Sequence, residues 1–167
     1  IDDMHAVRRG WGVDDHDNHG TAMGGIALHG DLTIPLGDNA PRTLTHRLES
    51  VKLLPPGRAD PNDPNSYGSV TQSAAALPEI QRPERTRVFC MAVTNDGVSG
   101  ARPSTWSSAI DQIAAGTMPG DNENSPKRLV VLAVGNTKPV MQFQQLLDND
   151  SYPAQDPAQA WNALTIG

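Results

Sequence analysis

Two short, unbroken apolar runs stand out from a chain otherwise interrupted by proline, glycine and polar residues: RVFCMAV (87–93) and LVVLAV (129–134). Runs of this length, rich in β-branched residues and without polar alternation, predict parallel strands buried on both faces. Between them, STWSSAIDQIAAG (104–116) carries Trp106, Ile110 and Ile113 on one helical face, with Ser104 placed to cap and Gly116 to end the helix. A second helix is predicted through NSYGSVTQSAAAL (65–77). Asp63 followed by Pro64 supplies the N-terminal signal, and a break or kink is predicted near Pro78. Residues 43–54 hold enough alternating and β-branched character for one or two strands, and 161–167 for a last one. A helix-like but glycine-rich pattern covers 21–28, and 139–147 suggests a short helix. Residues 1–18, 55–65, 95–103 and 117–128 read as loops. Strands alternating with helices predict an α/β fold with a mostly parallel β-sheet flanked by helices.

Length and charge narrow the classes. A chain of 167 residues suits one domain. A net charge of −6 argues against a nucleic-acid partner, which calls for a basic face. No apolar run approaches the roughly 18 residues needed to cross a bilayer, so no membrane association is expected. The one cysteine, Cys90, lies inside an apolar run and reads as a buried thiol. The chain opens on Ile1 and closes on the apolar AWNALTIG, which suggests a segment of a larger domain.

The densest polar cluster is VDDHDNHGTAMGG, 13–25. A metal site is one reading. Asp15, Asp17, His19 and Gly20 approach the opening of a calcium-binding EF-hand loop, but the bidentate glutamate required at the twelfth position falls on Ile26. A solvated loop that caps a helix is another. A catalytic histidine is the third.

The local pattern bears on that third reading. HGTAMGG, 19–25, is similar to the H-G-T-x-x-A-G block of the subtilisin-like serine peptidases, the subtilases of peptidase family S8, with Gly24 in place of the usual alanine. Three further blocks resemble the family in order: HRLESVKLL (46–54), RVFCMAV (87–93) and LVVLAVGN (129–136). The closing YPAQDPAQAWNALTIG resembles the family's Y-P-A segment and the strand after it. The resemblance covers nearly all of the chain from residue 11 onward. It implies a three-layer α/β/α subtilisin-like fold, incomplete at both ends. Residues 1–167 would be a central segment of the catalytic domain.

The resemblance also implies chemistry. His19 would be the general base of an Asp–His–Ser triad, a task suited to an imidazole that exchanges protons near neutral pH. Asn136 would donate its side-chain amide to the oxyanion. The family binds peptide as an added strand. Ala92, Val93 and Thr94 would form one substrate edge, although the family usually has S-x-G there. Ala133, Val134 and Gly135 would form the other wall of the first specificity pocket.

Two triad blocks have no counterpart. No D-[ST]-G block stands upstream, and GTA (20–22) and GTM (116–118) lack the serine of G-T-S. The expectation is therefore a segment of a serine endopeptidase, inactive on its own, acting in its parent on a peptide or protein substrate. The alternative is a non-catalytic subtilase-like module that binds peptides or a partner. No metal site or cofactor is expected. Structural calcium is common in the family, but no ligand set here carries it over. An exposed sheet edge would favour self-association. His46 reads as a satisfied polar residue and His5, His16 and His29 as surface residues. Trp106 reads as core, and Trp11 and Trp161 as packing residues.

Overall fold

The helix around Trp106 organises the core. The computed structural model describes residues 3–57, 61–99, 102–137 and 151–167; the helix expected at 139–147 lies outside them. Helix α4 (Thr105–Ala115) starts in a reciprocal cap. Ser104 Oγ accepts the N–H groups of Trp106 and Ser107 at 3.1 and 3.0 Å, and Ser107 Oγ accepts the Ser104 N–H at 2.7 Å. It ends at Gly116, whose φ of +71° only glycine adopts freely. Trp106, Ile110 and Ile113 are buried together with Val130 and Leu132. Full burial of each such side chain contributes about 1.5–3 kcal/mol.

Helix α3 (Tyr67–Gln81) packs on α4. The rings of Tyr67 and Trp106 meet at a tilt of 59° with centroids 4.9 Å apart, and Trp106 Nε1 donates to Thr71 Oγ1 at 2.8 Å. Of the two outcomes expected near Pro78, a break does not occur, and the helix runs on to Gln81. Proline removes one donor but leaves its own carbonyl, which accepts from Arg82 N–H at 2.9 Å and from Arg87 Nη2 at 2.8 Å. Asp63 caps the lead-in turn by accepting the Asn65 N–H at 3.0 Å.

Strands β1 (Asp3–Ala6) and β2 (Glu49–Lys52) pair in parallel. Strands β3 (Val88–Met91), β5 (Leu129–Ala133) and β7 (Leu164–Ile166) form a parallel sheet in the order β3-β5-β7. Strand β4 (Asn95–Ser99) pairs antiparallel with β6 (Gln155–Asp156). Helices α1 (His19–His29) and α2 (Thr33–Gly37) lie between β1 and β2 in sequence. The architecture is thus α/β with mostly parallel strands, as expected, but divided. A cavity of about 900 Å³ separates β2 from β3, lined by Leu48, Val51 and Leu53 on one side and by Val88, Phe89 and Met91 on the other.

Several local expectations are corrected. Residues 3–6 were expected to be loop and form β1, and 95–99 form β4. Both are short and polar, and only pairing reveals them. Strand β3 is covered on one face rather than two: Phe89 and Met91 pack on the core, whereas Cys90 is exposed, not buried. Val88, Leu129, Leu164 and Ile166, on the same face as Cys90, are each more than half exposed. Trp161 is 82 % exposed rather than packed, and His5 on β1 is half-buried rather than superficial.

Charged groups knit the elements together. Arg87 pairs with Glu49 of β2 at 2.6 Å and donates to the Pro78 and Arg82 carbonyls at the end of α3. Burial opposes ionisation of Glu49, but hydrogen bonds from Arg87 and Arg85 outweigh it and hold the carboxyl below its usual range. Arg128 forms a fork on Glu79 (2.7 and 2.8 Å) and a second pair with Asp121 (2.8 and 2.9 Å).

Candidate functional site

The polar loop before α1 builds its own helix cap. Asn18 takes a left-handed conformation, φ +61°, which asparagine tolerates. It occupies the cap position, but its side chain caps nothing. Asp15 does so instead. Its Oδ2 accepts the Thr21 N–H and the Thr21 hydroxyl, each at 2.7 Å, and its Oδ1 accepts the Asp17 N–H at 3.1 Å. These bonds, the Thr21 hydroxyl foremost, lower the Asp15 pKa to about 2. His19 is the first residue of α1, and it is exposed. Among the described residues its imidazole has no hydrogen-bond partner.

Three contacts tie α1 and the loop before it to residues 46–52. Leu48 lies so near Gly24 that a Cβ there would stand 3.0 Å from Leu48 Cδ2. His46 Nε2 donates to the Ala27 carbonyl at 2.8 Å, so this histidine is a satisfied polar residue, as expected. Lys52 Nζ donates to the Asp14 carbonyl at 2.6 Å and ties the loop to the strand. Gly25 faces open space, so of the two adjacent glycines only Gly24 is required by close packing.

A second cluster forms where β3 and β5 end. Ala92, Val93 and Thr94 are half-buried and join β3 to β4. Ala133 closes β5. Val134 donates its N–H to the Ile166 carbonyl at 2.8 Å and accepts the Gln155 N–H at 2.9 Å. Gly135 has φ +130°, and a Cβ there would meet the Gln155 side chain at 2.5 Å, which only glycine permits. Asn136 is exposed, and its main chain pairs with the Gln155 amide. Asn136 N–H donates to Gln155 Oε1 at 3.1 Å, and Gln155 Nε2 donates to the Asn136 carbonyl at 2.9 Å. Thr94 Oγ1 donates to the same Oε1 at 2.8 Å.

The fold thus gathers Thr94, Gly135 and Asn136 around one side chain, with Val134 beside them. Among the described residues no hydrogen bond joins this cluster to His19. Gln155 is the residue that sequence reasoning missed, whereas Asp15 makes the helix cap expected of the polar loop. Asp15 stood in the cluster already singled out, and Gln155 directly follows the Y-P-A block. Next to Gln155, buried Asp156 accepts a hydrogen bond from the Ser104 hydroxyl. Burial raises its pKa, and the Ser104 bond partly offsets the rise. Among the described residues no three His, Cys, Asp or Glu side chains gather as they would around a metal ion.

His19 thus opens α1 as an exposed imidazole, and Asn136 follows Gly135 just beyond the parallel strand β5. The model of the subtilase family, Peptidase S8, matches residues 2–167. No curated protein and no solved structure gives a match.

Proposed function

Because the chain belongs to the subtilase family of serine peptidases, we propose that it supplies the base and the oxyanion donor of an endopeptidase whose triad serine and aspartate lie outside residues 1–167. The observation that carries this reading is the family match, which spans both His19 and Asn136. In this mechanism His19 takes the proton of the serine hydroxyl as the serine oxygen attacks the peptide carbonyl. The carbonyl oxygen gains the negative charge and accepts a hydrogen bond from the Asn136 side-chain amide. Collapse breaks the C–N bond, and His19 returns the proton to the leaving amine. Water then attacks the acyl-enzyme by the same proton path. Peptide would lie along 92–94, with 133–135 walling the first specificity pocket.

Residues 1–167 contain no G-T-S or D-[ST]-G block, so this segment by itself is expected not to hydrolyse peptides. That same observation favours a second reading, a module that binds peptides without cleaving them. A serine-directed fluorophosphonate probe separates the two. The full-length protein carrying this segment should label, and His19→Ala should abolish labelling. Asn136→Ala should lower kcat by about 10²–10³-fold, the range known for the corresponding donor of subtilisin itself. An unlabelled full-length protein, indifferent to His19→Ala, leaves only the binding module.

A further inference from the structure

We propose that Gln155 is a positioning residue that fixes the Asn136 turn for oxyanion stabilisation, an inference that rests on the reading of Asn136 as the oxyanion donor. The geometry is that of a strand pair made by a side chain. The Gln155 amide offers its carbonyl to Asn136 N–H and its NH₂ to Asn136 C=O, at 3.1 and 2.9 Å. A primary amide presents a donor and an acceptor side by side, so it can match the two main-chain groups of one residue at once. The third bond, from Thr94 Oγ1 at 2.8 Å, ties that amide to the chain beyond β3. Thus one side chain spans the ends of β3 and β5.

Gln155 is itself held. Its N–H donates to the Val134 carbonyl at 2.9 Å, and its carbonyl accepts the Ala158 N–H at 2.8 Å. The following residues, Asp156, Pro157 and Ala158, are buried. Gly135 completes the arrangement, because any side chain there would occupy the place of the Gln155 amide. The Asn136 side chain is exposed and takes its direction from its own main chain. An oxyanion donor is effective only when it is held in advance where charge develops, and misplacement by about 1 Å can cost 10²-fold.

The test uses the full-length protein. Gln155→Ala should lower kcat about 10- to 100-fold while KM stays within about twofold. Gln155→Glu keeps the acceptor for Asn136 N–H and loses the donor to Asn136 C=O, so it should fall in between. If Gln155 acts through Asn136, Gln155→Ala should cost little further in an Asn136→Ala background. Independently of turnover, the Asn136 backbone amide should exchange about tenfold faster in Gln155→Ala, with the melting temperature checked alongside. Additive losses in the double variant, a change confined to KM, or unaltered Asn136 exchange overturn the role of Gln155 and leave the peptidase reading intact. A wild-type protein that cleaves no peptide and takes no fluorophosphonate removes the reading beneath it.

Discussion

Asp15 holds Thr21 by two hydrogen bonds of 2.7 Å, and so the first turn of α1 is set from six residues upstream rather than from its own cap position. Between them lies His19, the proposed general base. The turn that presents the imidazole therefore depends on a carboxylate.

Acid should release that turn. The folded-state pKa of Asp15 is depressed from 3.8 to about 2, so its contribution is present above the higher value and is lost as pH falls through the lower. NMR should show Thr21 amide protection intact at neutral pH and decaying between about pH 4 and pH 2. Asp15→Ala should remove most of that protection at every pH. In the full-length enzyme, kcat/KM should fall with it.

Neighbouring glycines in α1 should respond with opposite sign. Gly25→Ala meets nothing within 4 Å and should stabilise the helix by up to about 1 kcal/mol. Gly24→Ala places a methyl 3.0 Å from Leu48 Cδ2 and should forfeit that gain or lose stability outright. Leu48→Ala should relieve the Gly24→Ala penalty, which makes the pair non-additive in urea unfolding.

Arg128 anchors the opposite side of the core. Its side chain is 5 % exposed and Asp121 is 7 % exposed. Removing the arginine leaves a buried carboxylate unpaired, so Arg128→Met should cost about 3–5 kcal/mol. Hydrogen bonding from Arg128 holds the Asp121 carboxyl below its usual range. Native stability should therefore drop as pH falls below about 4, because the unfolded chain takes up that proton first. The acid-dependent drop in urea midpoint should be smaller in Arg128→Met.

Self-association is expected through a sheet edge. Among the described residues β2 pairs only with β1, and β3 only with β5, so each leaves one edge towards the cavity between them. Light scattering of the purified segment should show dimers or larger species whose proportion rises with concentration. A monodisperse monomer across a hundredfold dilution would count against association.

The parts of the fold legible in the sequence were those that its own periodicity determines. Trp106, Ile110 and Ile113 mark α4 without help from any other segment, and 129–133 is apolar enough to be a strand alone. Strands β1, β4 and β6 are two to five residues long and polar, and only their partners distinguish them from loop. Cys90 was misread because an apolar run tells that a strand is present, not that both faces are covered. His19 and Asn136 could be singled out as candidates because each sits in a local block that resembles the family. Gln155 could not, since its bonds reach Thr94, 61 residues away, and Asn136, 19 residues away.

The uncovered face of β3, β5 and β7 sets how the segment behaves as a colloid. Val88, Leu129, Leu164 and Ile166 give it a sticky surface that folding does not remove. What opposes adhesion is mutual repulsion between molecules carrying a net charge of −6. Acidification erodes that charge through the carboxylates, and salt shortens its reach to about 8 Å at physiological strength. Precipitation in mild acid or high salt is then a property of intact molecules, driven by a face that is native to the fold.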